Sequence, residues 1–237
     1  GASVLKRILI KTSFSMASQD VRYYLNGLLL EFANNEIKGV ATDGHRLALA
    51  SSKLENKEGL QLKQILPRKA VLELSKLLPQ SEETVELNVG ASYFSVKSGN
   101  LQFSTKLIDG KYPDYEKVFP SGDPSSLKIE KEKLQLALSR ASVLSNEKYR
   151  GVRFALSEGS LKLTANNPEQ ESAEEVLGVD YTGVPLEIGF NIGYLLDVLG
   201  SLETKDVELV FYGEDSSCII KEPASESEVY VIMPMRL

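Results

Sequence analysis

The residues best suited to chemistry sit in one short run, Thr42-Asp43-Gly44-His45-Arg46-Leu47. Asp43 and His45 are two positions apart, so on a strand they share a face, and a carboxylate beside an imidazole is the pairing that general acid–base catalysis uses. His45 is the single histidine and Cys218 the single cysteine of 237 residues, which gives neither a metal-ligand cluster nor an internal disulfide. The sequence also lacks the nucleophile elbow Gly-x-Ser-x-Gly and a phosphate loop. An enzymatic reading therefore rests on Asp43 and His45 alone, and Asp43-Gly44 reads equally well as a hairpin turn. The distant segment Met233-Pro234-Met235-Arg236-Leu237 offers adaptable apolar side chains with one cation, yet by itself it reads as a frayed end.

The elements that must position these segments come in duplicate. Asn26-Gly27-Leu28-Leu29-Leu30 corresponds to Arg150-Gly151-Val152-Arg153-Phe154, and Glu36-Ile37-Lys38-Gly39-Val40-Ala41 to Ser160-Leu161-Lys162-Leu163-Thr164-Ala165, both at an offset of 124. So long a period implies two repeated domains rather than a solenoid. Apolar spacing of 3.6 predicts helices over 4–18, 67–78, 131–144 and 191–202, two per repeat. Between them lie short Val, Ile, Leu, Phe and Tyr runs broken by Asn34-Asn35, Asp43-Gly44, Ser98-Gly99-Asn100 and Glu158-Gly159, the signature of antiparallel hairpins. The fold class is α+β: duplicated domains, each with two helices packed on antiparallel sheets. The Pro/Gly/Ser stretch 119–126 marks the junction, giving domains 1–121 and 122–237, and the second opens with a strand from Ser126 to Glu130. Gly1-Ala2-Ser3 reads either as a cloning remnant or as natural sequence.

Composition is that of an ordinary globular chain, 42% hydrophobic and 25% charged. No apolar run approaches the ~18 residues of a membrane span and no signal-like start is present, so the expected compartment is the cytoplasm, with no membrane partner. The net charge of −6 argues against nucleic acid until it is located. The four helical stretches sum to +6 and everything else to −12. That division suits a basic helical layer facing phosphates, and it equally suits cations on solvated helix faces. No base-reading motif is present, so any DNA contact would be phosphate-directed and blind to sequence.

Ala41-Thr42-Asp43-Gly44-His45-Arg46-Leu47-Ala48, Leu144-Ser145-Asn146-Glu147-Lys148-Tyr149-Arg150-Gly151, Asn166-Asn167-Pro168-Glu169 and Met233-Pro234-Met235-Arg236-Leu237 together resemble the bacterial DNA polymerase III sliding clamp (beta-subunit) family. The resemblance implies a DNA-clamp fold without catalysis or cofactor. It implies a subunit of three such domains that closes as a head-to-tail dimeric ring around duplex DNA and confers processivity. This chain would be a fragment of the middle and C-terminal domains, lacking the first domain and the opening strand of the second. Such a fragment is expected to be a monomer, unable to close the ring, with an unpaired edge around Glu171 to Asp180.

The same resemblance assigns a pocket for a partner motif of the type Gln-Leu-x-Leu-Phe, carried by polymerases, the clamp loader and repair proteins. On one side it places Leu25, Thr42, Gly44, His45, Arg46, Leu47, Pro113, Lys117 and Val118. On the other it places Tyr149, Asn191, Tyr194, Ser217, Val231, Met233, Pro234, Met235, Arg236 and Leu237. Lys117 stands where relatives often carry Arg, and Asp215 where some carry an apolar residue, which bears on peptide preference. Gln19, Tyr23 and Tyr24 match positions the family places near DNA, with Arg68 and Lys69 as further phosphate contacts. The tyrosine pair reads either as a stacking surface for single-stranded bases or as packing at the start of a strand. Two other classes stay open: a stand-alone peptide-binding module without a DNA role, and an enzyme using Asp43 and His45. Replacing His45 by Ala would abolish turnover in an enzyme and would only weaken a peptide in a clamp.

Overall fold

The computed structural model describes residues 1–54, 61–223 and 225–237. They form two compact units, Gly1–Tyr115 and Glu116–Leu237. The division falls at Tyr115, six residues before the expected junction. Tyr115 is buried in the first unit, where its hydroxyl donates to Glu31 at 2.8 Å.

In the first unit, helix α1 (Ala2–Ser13) buries Ala2, Leu5, Ile8 and Leu9, a stripe at helical spacing. The helix stops five residues short of the expected 18. The Thr12 hydroxyl bonds back to the Ile8 carbonyl at 2.6 Å, and the amides of Ser15 and Met16 turn to carbonyls three residues back, which tightens the chain out of the helix. Strands β1 (Gly27–Ala33), β2 (Glu36–Thr42), β3 (Arg46–Lys53) and β4 (Leu62–Pro67) pair antiparallel in the order β4-β1-β2-β3. Helix α2 (Arg68–Leu77) follows, then β5 (Glu86–Val89), β6 (Tyr93–Ser98) and β7 (Leu101–Lys106), an antiparallel meander. Asn34 and Asn35, with φ of 51° and 58°, make the two-residue turn that joins β1 to β2. One core of Leu5, Ile8, Leu28, Leu30, Val71, Leu74, Phe94 and Val96 draws on both helices and both sheets. Gly39 admits α1 to that core, because a Cβ there would collide with the Ile8 side chain.

The second unit repeats the plan. β8 (Ser125–Glu130) leads into α3 (Lys131–Ser142), followed by β9 (Gly151–Ser157), β10 (Ser160–Asn166), β11 (Ser172–Gly178) and β12 (Leu186–Asn191). Then come α4 (Ile192–Ser201), β13 (Asp206–Phe211), β14 (Cys218–Lys221) and β15 (Glu228–Ile232). One sheet runs β11-β10-β9-β12, so β11 lies at its edge, and a second series runs β15-β14-β13-β8. Alternation sorts the faces of β9, β10 and β12. Val152, Phe154, Leu156, Leu161, Leu163, Ile188 and Phe190 point into the core, while Arg153, Thr164, Glu187 and Gly189 fall on the opposite face. Phe190 meets Phe154 edge-on at 5.4 Å.

Each unit ends its second helix with a lysine borrowed from its first. Lys6 donates to the Leu78 carbonyl after α2 and Lys131 to the Leu202 carbonyl after α4, both at 2.8 Å. A cation there satisfies an orphan carbonyl and meets the negative end of the helix dipole. Cys218 is fully buried, and burial pushes its thiol pKa up.

Phe190→Ala should lower the unfolding free energy of the second unit by about 3–5 kcal/mol, the cost of an aromatic-sized cavity, measured by urea unfolding.

Candidate functional site

In the first unit the chemistry-bearing run forms the connection from β2 to β3, and it is held by side chains rather than left as a simple turn. Asp43 Oδ1 accepts the backbone amides of His45 and Arg46 at 2.9 and 3.1 Å, and Asp43 Oδ2 accepts Arg46 Nε at 3.1 Å. Arg46 donates onward to the Phe14 carbonyl at 2.7 Å, with its guanidinium 5.7 Å from the Phe14 ring centroid. The Thr42 hydroxyl donates to the Arg46 carbonyl at 2.6 Å and accepts from Gly44 N at 3.1 Å. The Thr42 amide in turn donates to the buried Tyr112 hydroxyl at 3.1 Å. Gly44 has φ of 92°, a conformation open to glycine, and a side chain there would press on the Arg22 guanidinium.

That guanidinium is the second brace. Arg22 grips Asp20 through Nε at 3.0 Å and Nη2 at 2.7 Å, and Nη2 also reaches the Asp43 carbonyl at 3.1 Å. The hydrogen bonds from the Arg22 side chain and backbone hold the Asp20 carboxyl at a pKa of about 2, below its ordinary 3.8. Asp43 meets His45 through the His45 backbone amide, so the carboxylate shapes the turn. It does not orient the imidazole, and the alternation that put the two side chains on one strand face does not hold in a turn. His45 and Gly44 are exposed, whereas Leu25, Leu47 and Thr42 are buried. Pro113 is exposed.

In the second unit Tyr149, Asn191 and Met235 to Leu237 come together around the outer face of β9 and β12. Asn191 caps α4 by accepting Tyr194 N at 3.2 Å, and its amide donates to the Tyr149 carbonyl at 3.2 Å. The Tyr149 ring is exposed, with Lys148 Nζ 5.2 Å from its centroid. Segment 233–237 leaves β15 and lies down on this face. Met235 N donates to Gly189 O at 2.9 Å, and the Ser217 hydroxyl meets the Met233 sulfur at 2.9 Å. Leu237 packs where side chains are missing. A Cβ at Gly151 would strike its methyl, and one at Gly189 would strike the Met235 carbonyl oxygen. Ser217 and Val231 are buried, Met233 to Met235 half-buried, Arg236 and Leu237 exposed. Lys117 is exposed and Val118 half-buried, in a 3-10 turn over Tyr115–Val118.

Of the residues matched to DNA-facing positions, Tyr23 and Tyr24 stand edge to face at 5.7 Å in a 3-10 turn before β1, with Tyr23 57% exposed. Gln19 is exposed with φ of 59°. Lys69 is exposed, but Arg68 donates to the Met16 carbonyl at 3.0 Å. The helical cations are largely committed inside their own units: besides Lys6 and Lys131, Arg7 donates to Ser51 O at 2.7 Å and Lys11 is buried. Among the described residues no group of three or more His, Cys, Asp or Glu could hold a metal ion, and no helix is long and apolar enough to cross a membrane.

Residues 1–114 match the family model for the DNA polymerase III beta subunit, central domain, and residues 116–236 that for its C-terminal domain. The chain belongs to the DNA polymerase III beta-subunit family. It is 48% identical to the beta sliding clamp of Pseudomonas putida over 235 residues and 46% identical to that of Escherichia coli over 238, in each case covering 99% of this chain and 64% of the relative. Its fold superposes with a TM-score of 0.97 on a crystal structure of the Pseudomonas aeruginosa DNA polymerase sliding clamp with ligand, at 47% identity, covering all of this chain and 64% of that one. A structure of the same organism's clamp bound to griselimycin gives 0.96. The chain therefore spans about 64% of the length of these beta-subunit relatives.

Sequence reading found the turn and the segment 233–237 but missed what holds them: Asp20 with Arg22, Tyr112, and the glycines Gly151 and Gly189. Gly189 inside the strand Leu186–Asn191 was the available signal, since a strand glycine often marks close approach of another backbone.

Two outcomes follow. Gly189→Ala should leave the fold intact while dislodging the segment, seen as faster hydrogen exchange at the Met235 amide. Arg22→Ala should return the Asp20 carboxyl from about 2 towards 3.8 in an NMR titration. Because the folded value is the depressed one, Asp20 favours the folded turn above about pH 4, and that contribution disappears as the pH falls towards 2.

Proposed function

We propose that this chain carries the partner-binding surface and part of the DNA-facing surface of a sliding clamp, a non-catalytic cytoplasmic processivity factor that encircles duplex DNA as a dimeric ring. The observation that carries the reading is the match along the entire chain, both units at once, to sliding clamps at 46–48% identity with a TM-score of 0.97. On this reading the two units, Gly1–Tyr115 and Glu116–Leu237, are the middle and C-terminal domains. A non-catalytic role is supported by Asp43, whose carboxylate is taken up by turn amides and Arg46.

Two sets of residues are assigned to a partner peptide of the Gln-Leu-x-Leu-Phe type. In the first unit, His45, Gly44, Pro113 and Arg46 offer the exposed and half-buried surface, with Leu25, Thr42 and Leu47 as rigid support. In the second, Tyr149, Asn191, Tyr194 and Met233 to Leu237 offer it over Ser217 and Val231, and Lys117 and Val118 complete the assignment. Methionine walls re-pack around different anchors, which suits one surface to polymerases, a loader and repair proteins in turn. Burying two or three anchors at ~1.5–3 kcal/mol each, less the ordering of a flexible peptide, gives affinity on the order of micromolar. DNA contact by Lys69, Arg68, Gln19, Tyr23 and Tyr24 is sequence-independent and salt-sensitive, because topology holds the DNA and tight binding would only add drag.

A labelled Gln-Leu-x-Leu-Phe peptide titrated with this chain should show saturable binding at micromolar concentration by fluorescence polarisation. A version ending at Ile232 should lose it, and His45→Ala should weaken it severalfold. Absence of saturable binding by the folded chain would overturn the assignment. In light scattering the chain alone should run as a monomer.

A further inference from the structure

Beside segment 233–237, and wholly within the second unit, lies a cavity of about 340 Å³ lined by Asn146, Tyr149, Gly151, Arg153, Thr164, Asn166 and Met235 to Leu237. Five of these nine residues, Asn146, Gly151, Arg153, Thr164 and Asn166, lie outside the surface assigned above to the peptide. We propose that this cavity is a second subsite, one that takes an acidic side chain flanking the partner peptide's apolar core. The proposal rests on the peptide-binding reading and extends it.

Three observations converge. First, the lining carries two guanidinium groups, Arg153 and Arg236, and no Asp or Glu side chain, in a chain whose net charge is −6; Arg153 Nη2 also reaches the Leu237 main-chain oxygen at 3.5 Å. Second, its donors are spare. Asn146 Oδ1 accepts the amides of Lys148 and Tyr149, which turns its NH2 group away as an unused donor. Among the described residues the Thr164 hydroxyl, the Asn166 side-chain amide and the Arg236 guanidinium make no hydrogen bond or ion pair. Third, the side-chain anion already paired with the lining is loosely held. Arg153 pairs with Glu187 at 3.1 Å with both side chains about half exposed, at 48% and 61%, so an incoming carboxylate can share or replace it at little cost.

Continuity names the occupant. Tyr149, Met235, Arg236 and Leu237 line this cavity and also belong to the assigned peptide surface, so a chain bound on that surface passes its mouth. The Leu237 side chain, seated over Gly151 and Gly189, gives the cavity an apolar wall. A carboxylate fits this donor set, since guanidinium, amide NH2 and hydroxyl all donate to it.

The test uses peptides with the Gln-Leu-x-Leu-Phe core carrying Glu, or Gln as the neutral isostere, next to the core on either side. At low salt one Glu peptide should bind about fivefold tighter than its Gln counterpart, and the preference should vanish at high salt. In Arg153→Gln the Glu-to-Gln ratio should fall to near unity, and in Thr164→Val it should drop in part. If the core peptide binds but Glu and Gln versions are equal, or if the preference survives both substitutions, the subsite is wrong while the peptide reading stands. If no peptide binds at all, both fall.

Discussion

Strand alternation in β9, β10 and β12 is the constraint on which the second unit's site depends. Phe154, Ile188 and Phe190 are locked into the core, and because successive side chains on a strand point to opposite faces, that commitment fixes Gly151, Arg153, Thr164 and Gly189 on the outer face. A slip of one residue would bury Arg153 and expose Phe154, so the core enforces the register of the surface. The outer face then has one narrow place, at the two glycines, where a further piece of backbone can approach. Segment 233–237 occupies it.

The first unit solves a similar problem by different means. Its exposed turn is short and polar, and without fixed neighbours it would sample many conformations. Two carboxylates and two arginines remove that freedom: Asp43 gathers the turn amides, Arg46 ties it to the chain after α1, and Arg22, itself gripped by Asp20, holds the turn's carbonyl. The result is a fixed display of His45 and Gly44. Preorganisation of this sort matters for a weak binder, since every loop already ordered is entropy that the partner need not supply.

Much of this architecture was legible in the sequence, because duplication and periodicity are local signals. Three of the four helices end within two residues of where apolar spacing puts them, and Asn34-Asn35 forms the turn its chemistry predicts. α1 ended early because Thr12 and the following serines bond back to the chain, a competition that apolar spacing does not record. The basic character of the helices was also legible, but its use was not. Lys6, Arg7, Arg68 and Lys131 each donate to a carbonyl far away in sequence, and such pairings depend on tertiary geometry alone. The same limit hid Arg22, whose partner Asp43 lies 21 positions along the chain.

The single thiol, sealed inside β14, has a consequence for how this protein can be followed in solution. Cys218 reacts only when the second unit opens, and its raised pKa keeps the reactive thiolate scarce until then. The first unit has no thiol at all. The rate of labelling by a bulky reagent is therefore a native clock for breathing of the second unit alone, read without any inserted probe and silent to whatever the first unit does.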